Sequence, residues 1–147
     1  MPVLFEQQLD PDANRMAAFT AADPADREAF AAKWARILAD DTVTIRTIVL
    51  DGRVAGNVML WRDPALDAPE VSYWLGKEFW GRGLATAALT AFLRLTETRP
   101  LYGRAAKDNL GSIRVLEKCG FTLHGEERGY ANGRGEEIAE VVYRLEA

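Results

Sequence analysis

The chain has 147 residues, of which 48% are hydrophobic and 27% charged, and its formal net charge is −4. We expect one domain over residues 1–147, with a core that needs neither metal nor disulfide. A general nucleic-acid binder would usually carry an excess of basic residues, and no apolar run reaches the roughly 18 residues of a membrane span. Neither nucleic acid nor a membrane is therefore an expected partner.

Cysteine and histidine are too scarce for several kinds of site. Cys119 is the only cysteine and His124 the only histidine. An intramolecular disulfide is impossible and a metal site is not expected. MPVLFEQQLDPD lacks the basic start and the apolar stretch of a signal peptide, so we expect a cytoplasmic protein. Cys119 is expected to be an unreactive thiol and His124 a structural residue.

The first half of the chain predicts helices and an antiparallel hairpin. VLFEQQ is interpreted as a short first strand. DPDANRMAAFTA and DPADREAFAAKWARILADD open with Asp-Pro, a helix-start signal, and are predicted helices. TVTIRTIVL and RVAGNVMLW are predicted strands, and Asp51–Gly52 between them is a strong hairpin turn.

The second half predicts alternating strands and helices. EVSYWLG is a strand, followed by a helix that runs to about Thr98, and LYGRAAK is the next strand. NLGSIRVLEKCG predicts a helix that ends at Gly120, and FTLHGEERGY and IAEVVYRLE are the final strands. This order predicts a three-layer α/β fold, with a mixed central sheet of about six to seven strands and helices on both faces.

The segment FWGRGLATAALTAFL places Gly81 and Gly83 where a helix begins. A strand, a glycine-rich turn and a helix N-terminus form an anion site, because the first helical N–H groups lack partners within the helix. Glycine lets a phosphate approach the backbone, while Thr86 adds a hydroxyl and Arg82 a charge. The segment matches neither the Walker A loop nor the dinucleotide fingerprint. A plain tight turn is the alternative.

With NLGSIRVLEKCGF, this segment resembles the GCN5-related N-acetyltransferase (GNAT) superfamily, and more narrowly its RimJ/RimL-like branch. The superfamily's pyrophosphate loop, [Q/R]-x-x-G-x-[G/A], falls on residues 80–85, with a tryptophan first, as is usual in that branch. The resemblance implies the acyl-CoA N-acyltransferase fold and acetyl-CoA as co-substrate. It also implies a pantetheine arm that enters between two splayed parallel strands and pairs with the backbone of Trp74 and Leu75 as an added strand would. The residues it assigns to the coenzyme are Trp74, Leu75, Trp80, Gly81, Arg82, Gly83, Leu84, Ala85, Thr86, Asn109 and Ser112.

Two residues of the second motif carry roles in the superfamily. Asn109 matches an asparagine that binds the coenzyme, although a helix cap is the alternative. Ser112 matches a serine that returns a proton to the leaving thiolate, with a local helix bond as the alternative. The superfamily's usual tyrosine acid falls on Leu116. Tyr73 or Tyr130 replaces it only if the fold brings one there.

The chemistry also needs a base, because a protonated amine must lose a proton before it attacks a thioester. Glu70, which opens the strand before the loop, is the first candidate, and a carboxylate at the rim is its alternative role. Glu126 and Glu127 are weaker candidates. We expect the backbone N–H of Leu75 to meet the oxyanion.

The expected function is transfer of acetyl from acetyl-CoA to a primary amine, by direct attack in a ternary complex. The acceptor is a protein N-terminus or a small molecule, and Phe30 and Trp34 are core residues or walls of its channel. The alternatives are a non-catalytic acyl-CoA-binding or sensing module, an acyltransferase with another acyl-CoA, and a nucleotide-binding regulator. A homodimer paired through IAEVVYRLE stays open by analogy.

Overall fold

The computed structural model describes residues 2–12, 16, 23–63 and 68–146. Helix α1 spans Pro2–Gln8, so the prediction of a strand at VLFEQQ is wrong. Leu4 and Phe5 are neighbours in sequence and both are buried, whereas a strand would point them to opposite faces. The Phe5 ring meets Phe30 of α2 with 5.2 Å between centroids, which ties the two helices together.

Helix α2 spans Arg27–Ala39 and confirms the second predicted helix. Its N-cap is Asp26, whose carboxylate accepts the Ala29 N–H at 3.0 Å and satisfies one free donor of the first turn. Most of the other predicted helix, DPDANRMAAFTA, lies outside the described residues.

The described residues form one six-stranded mixed sheet with the order β1-β2-β3-β4-β6-β5. Only β3 and β4 pair in parallel among these strands. Asp51 and Gly52 have φ values of 51° and 77°, which confirms the predicted hairpin turn. The strands are β1 Thr44–Leu50, β2 Arg53–Asp63, β3 Ala68–Leu75, β4 Leu101–Ala106, β5 Thr122–Ala131 and β6 Glu136–Leu145.

Helices α3 and α4 follow the two parallel strands. α3 spans Leu84–Leu95 and ends three residues before the predicted Thr98. Thr96, its C-cap, is already extended with φ −126° and ψ 139°, so the helix ends before the restriction that Pro100 places on Arg99 takes effect. α4 spans Leu110–Lys118, and Gly120 follows it with a φ of 94°, as predicted.

The sheet has helices on both faces, so the three-layer prediction is confirmed. Val58 and Leu60 of β2 are buried in the core that α3 and α4 complete with Leu89, Phe92 and Leu116. The alternate residues of β2 point the other way, because side chains alternate along a strand. On that face Asn57, Met59 and Trp61 line a cavity together with Leu4, Phe30 and Trp34 from α1 and α2.

Candidate active site

The parallel strands β3 and β4 pair at Glu70 and Tyr102 and then diverge. Two strands joined at one end leave a wedge-shaped opening, because the ladder between them stops. A cavity of about 910 Å³ follows this opening, from Gly81 and Thr86 at one end to Glu70 and Arg104 at the other. We call this space the wedge cavity.

The free backbone groups of β3 face the wedge cavity at alternate residues. Gly76 N–H donates to Ala55 O of β2 at 2.9 Å. In an antiparallel pair the bonded residues alternate, so Trp74 also pairs with β2, while Tyr73 and Leu75 direct their backbone groups away from it. The expectation that the Leu75 N–H meets the oxyanion is compatible with this alternation of backbone groups. Trp74 contributes its side chain to the cavity lining instead.

Trp80 fixes the turn that follows β3. Its indole Nε1–H donates to Leu75 O at 2.9 Å, and the residue is 38% exposed. That bond uses the Leu75 carbonyl and leaves the Leu75 N–H as the group directed into the wedge cavity. Trp80 therefore holds the end of β3 against the start of the loop, which gives a physical reason for a tryptophan at this position.

The loop before α3 has the open geometry of an anion site. Gly81 and Gly83 have φ values of 74° and 71°, and a Cβ at either position would meet nothing within 4 Å. Gly83 is the N-cap of α3 and no side chain caps the helix there. The first backbone N–H groups of α3, at Leu84, Ala85 and Thr86, thus begin an uncapped helix at the cavity wall.

Arg82 points away from this lining. Its guanidinium carbon lies 5.9 Å from the centre of the Phe79 ring, and Arg82 does not line the wedge cavity. The open face of the loop is therefore built from backbone and from glycine, with Thr86 as the hydroxyl-bearing residue at the wall.

Asn109 caps α4 and also ties it to the N-terminal segment. Its Oδ1 accepts the Ser112 N–H at 3.2 Å, and its Nδ2 donates to Met16 O at 3.1 Å. The helix-cap alternative is therefore correct. Asn109 also lines the wedge cavity, so a coenzyme contact stays a prediction.

Ser112 and Tyr73 form a hydroxyl pair on the cavity wall. Tyr73 Oη lies 2.5 Å from Ser112 Oγ and 3.1 Å from Ser112 O. Burial raises the pKa of Tyr73 to about 12, an effect that the bond with Ser112 opposes and the neighbouring Cys119 adds to. Tyr130, by contrast, is 63% exposed on β5, and Leu116 is buried in the core. The fold thus brings Tyr73, and not Tyr130, to Ser112.

The deep end of the cavity holds a cluster of charges centred on Arg104. Its Nε lies 3.3 Å from Oε1 of Glu70, and its Nη1 lies 2.6 Å from Oε2 of Glu127. Glu70 is 6% exposed, so the rim-carboxylate alternative is wrong. Glu140 stands directly opposite Glu127 in the β5–β6 ladder and lines the cavity.

Electrostatics differ among the members of this cluster. Burial by itself lowers the pKa of Arg104, but its hydrogen bond to Glu127 and the charges of Glu70 and Glu140 raise that pKa overall. Burial raises the pKa of Glu140, against the attraction of Arg104. Glu126 points elsewhere, toward Lys107 at 3.1 Å, and both side chains are exposed.

Sequence reasoning missed Arg104 and Glu140. Arg104 is the charged residue of LYGRAA, and Glu140 interrupts the run of uncharged residues IAEVVY. That pattern was the available signal, because a charge within a central strand is retained only with a partner or beside a polar site.

The other residues considered in the sequence analysis lie on the cavity wall or away from the cavity. Phe30 and Trp34 line the cavity and pack on each other with 6.1 Å between centroids. Cys119 is half-buried with its Sγ 3.5 Å from Thr90 Oγ1, and His124 is exposed on β5 against the ring of Tyr102. In the described part of the chain no set of three or more His, Cys, Asp or Glu side chains could hold a metal. Its helices include none long and apolar enough to cross a membrane.

Comparison with known proteins supplies the family. Residues 1–122 match the family described as acetyltransferase (GNAT) domain. The chain is also similar to "Putative ribosomal N-acetyltransferase YdaF" of Bacillus subtilis (strain 168). The two are 32% identical over 126 residues, which is 81% of this chain and 68% of that protein.

Solved structures share the fold. Mycobacterium smegmatis RimJ in complex with CoA-disulfide matches with a TM-score of 0.82 and 21% identity, over 99% of this chain and 77% of that one. The microcin C7 self immunity acetyltransferase MccE, in complex with acetyl-CoA and AMP, matches with a TM-score of 0.75 and 23% identity. That match covers 99% of this chain and 84% of the MccE chain.

The family match covers most of the chain, and the Bacillus relative agrees with the branch that the sequence resembles. A family that transfers acetyl groups from acetyl-CoA is compatible with a glycine-rich loop beside a splayed parallel pair. The chain belongs to the GNAT acetyltransferase family, in its RimJ/RimL-like branch, and is an N-acetyltransferase with acetyl-CoA as its co-substrate.

Proposed function

We propose that this enzyme acetylates a primary amine of a protein or peptide, and that acetyl-CoA and the amine meet in the wedge cavity. The observation that carries the proposal is the continuity of this cavity from the glycine loop to buried Glu70. The name of the Bacillus relative, a ribosomal N-acetyltransferase, supports a protein acceptor. We propose further that residues 1–147 act as one domain in this reaction.

The coenzyme would lie along the loop and β3. The N–H groups at residues 81–86 would bind its pyrophosphate, because an uncapped helix N-terminus favours negative charge. The pantetheine arm would pair with Tyr73 as an added strand, since its backbone groups face the opening left by β4, and the Leu75 N–H would remain for the carbonyl of the acetyl group. Asn109 and the Trp74 side chain would contact the same arm from the cavity wall.

The amine must be neutral before it attacks the thioester, so it either arrives unprotonated or loses a proton in the site. An α-amino group has a pKa of about 8 and a lysine about 10.4, so both are largely protonated at neutral pH. Glu70, directly or through a water, would take one proton from the ammonium. The position of Arg104 supports this role, because its Nε lies 3.3 Å from Glu70 Oε1 and orients that carboxylate at the wall of the wedge cavity.

The transfer itself exchanges one bond for another. The amine nitrogen forms a C–N bond to the thioester carbon, and the carbonyl oxygen gains negative charge next to the Leu75 N–H. The C–S bond then breaks, its electron pair stays on sulfur, and sulfur receives a hydrogen from Ser112 as the thiol forms. The nitrogen still carries one proton more than an amide, and this proton passes through water to the Ser112 oxygen and restores its hydroxyl. The proton removed by Glu70 leaves to solvent, so the reaction yields an amide, free coenzyme A and one proton.

Calorimetric titration with acetyl-CoA, CoA and ATP tests the coenzyme site. We expect Gly83→Trp to abolish acetyl-CoA binding, because its side chain would fill the open space before α3. Gly135→Trp is the matched control, since Gly135 also has a positive φ of 67° and open space but lies in the β5–β6 turn. Equal affinity in the two variants would place the coenzyme elsewhere.

A thiol-release assay tests the acceptor. The panel holds peptides with free and with blocked N-termini, each with and without lysine, alongside small primary amines. Turnover with free peptide amines supports the proposal. Turnover with small amines alone would overturn the protein acceptor, and binding of acetyl-CoA without any turnover would overturn catalysis.

A further inference from the structure

We propose that Tyr73 is the positioning residue for Ser112, and that it holds the Ser112 hydroxyl so that its hydrogen points into the wedge cavity. This inference rests on the proposed function, in which Ser112 donates that hydrogen to the leaving sulfur. It assigns a role to a β3 tyrosine in a chain where α4 carries Leu116 at the position of the superfamily's usual tyrosine.

The geometry of the two hydroxyls carries the argument. Tyr73 Oη and Ser112 Oγ are 2.5 Å apart, at the short end of O–H···O bonds. A phenol carries one hydrogen and a serine hydroxyl carries one hydrogen and two lone pairs. When Tyr73 donates to Ser112 Oγ, the Ser112 hydrogen is left for a third group, and the wedge cavity is the space beside it.

Tyr73 has a second acceptor within reach, so the two hydroxyls can adopt either of two hydrogen-bond arrangements. Its Oη also lies 3.1 Å from Ser112 O. If Tyr73 donates there, Ser112 donates to the Tyr73 oxygen and no hydrogen faces the cavity. A sulfur acceptor in the cavity would favour the first arrangement, because it adds a bond that the second arrangement lacks.

Tyr73 and Ser112 are each held in place by other residues. Ser112 lies in the first turn of α4, where its N–H is bonded to Asn109 Oδ1 at 3.2 Å. Tyr73 extends from β3 and packs against the core, so its ring has little freedom. The tyrosine thus links the strand that would bear the pantetheine arm to the helix that bears the hydrogen donor.

Tyr73 keeps its proton while it does this. With burial raising its pKa to about 12, Tyr73 stays neutral at neutral pH and keeps the hydrogen that it donates to Ser112 Oγ. Its contribution is therefore a hydrogen bond to Ser112 and not a proton transfer. No step of the reaction leaves Tyr73 as a tyrosinate.

The test compares Tyr73→Phe, Ser112→Ala and the double variant, with Tyr143→Phe as the matched control. Tyr143 is also buried, with its hydroxyl 3.5 Å from Glu117, but it does not line the wedge cavity. Peptide turnover, KM for acetyl-CoA, coenzyme affinity and thermal unfolding are measured for each. Tyr73→Phe keeps the ring, so the fold should persist.

We expect kcat to fall about 100-fold in Ser112→Ala and about tenfold in Tyr73→Phe, with KM for acetyl-CoA nearly unchanged. The double variant should lose about 100-fold and not about 1,000-fold, because residues that act as one unit are not additive. Tyr143→Phe should turn over at the wild-type rate. These results would support the inference.

Other results would overturn it. Wild-type turnover in Tyr73→Phe or in Ser112→Ala, a multiplicative loss in the double variant, or a change in KM alone would each do so. As a measurement that needs no change at Tyr73, the ¹³Cζ resonance of labelled tyrosines is followed in Ser112→Ala. A Tyr73 signal that does not move would also overturn the inference. Absence of acetyl transfer by the wild type itself marks failure of the proposed function, before any variant is compared.

Discussion

Arg104 of β4 reaches Glu70 of β3 across the point where the two parallel strands part, with its Nε 3.3 Å from the Glu70 carboxylate. The contact joins the strands at the apex of the wedge cavity. Both side chains are mostly withdrawn from solvent, at 15% and 8% exposure. A charge pair at this depth is costly to break, because removal of one partner leaves the other buried without compensation.

We therefore expect Arg104→Leu to destabilise the protein by about 3 kcal/mol, since Glu70 would lose its buried cation. Urea unfolding at neutral pH measures the effect. Lys107→Leu is the control, because its ion pair with Glu126 is exposed and such pairs contribute about 0–1 kcal/mol. Equal losses in the two variants would contradict a special role for Arg104.

Glu70→Gln should lower peptide acetylation about 100-fold while acetyl-CoA affinity is kept, because the amide cannot accept the ammonium proton. Steady-state kinetics and calorimetric titration separate the two effects. Glu126→Gln, on an exposed carboxylate of β5, should act as the wild type. If Glu70→Gln turns over normally, the proton acceptor is another group or the solvent.

The pH dependence of stability should carry a contribution from Glu140. Its folded-state pKa is raised above 4.5, chiefly by burial, so the folded protein holds this proton to higher pH than the unfolded chain. Stability from this group therefore falls as the pH rises from about 4.5 through the folded pKa. Glu140→Gln should be more stable than the wild type at pH 7, and this advantage should vanish below pH 4.5.

Urea unfolding at pH 4 and pH 7 measures this difference for Glu140→Gln. Glu137→Gln on the same strand is the control, since Glu137 is exposed and pairs with Arg128 at the surface. A stabilisation of Glu140→Gln that is the same at both pH values would show that packing, and not ionisation, is responsible.

Much of the fold and the glycine turn before α3 could be predicted because their signals are local. Alternating residues in TVTIRTIVL, the Asp51–Gly52 turn and the glycines before α3 each depend on neighbours in sequence. The first helix was missed because VLFEQQ is short and its burial depends on Phe30, about 25 residues away.

The rest of the site depends on which residues the sheet brings together. Arg104 meets Glu70 and Glu127 only because β4 lies between β3 and β6. Likewise, nothing near Tyr73 in the sequence indicates that its hydroxyl reaches Ser112, 39 residues away. Such pairs follow from strand order and register, which composition and periodicity do not determine.

Gly56 of β2 is a position in the sheet that leaves no room for a side chain. A Cβ there would lie 1.8 Å from the carbonyl oxygen of Trp74, a backbone atom of the strand that borders the wedge cavity. Backbone cannot swing aside as a side chain does, so Gly56→Ala should separate β2 from β3 locally. We expect a loss of about 3 kcal/mol or more in the free energy of unfolding, together with weaker acetyl-CoA binding.

Gly125→Ala is the matched control for Gly56→Ala. Gly125 is also a strand glycine, in β5, but a Cβ there would meet nothing within 4 Å. The free energy of unfolding of Gly125→Ala should stay within about 0.5 kcal/mol of the wild-type value. Denaturant unfolding and acetyl-CoA titration of both variants decide the matter. If Gly56→Ala is as stable as the wild type and binds acetyl-CoA normally, the Trp74 carbonyl oxygen does not lie 1.8 Å from the new Cβ, and the prediction is wrong.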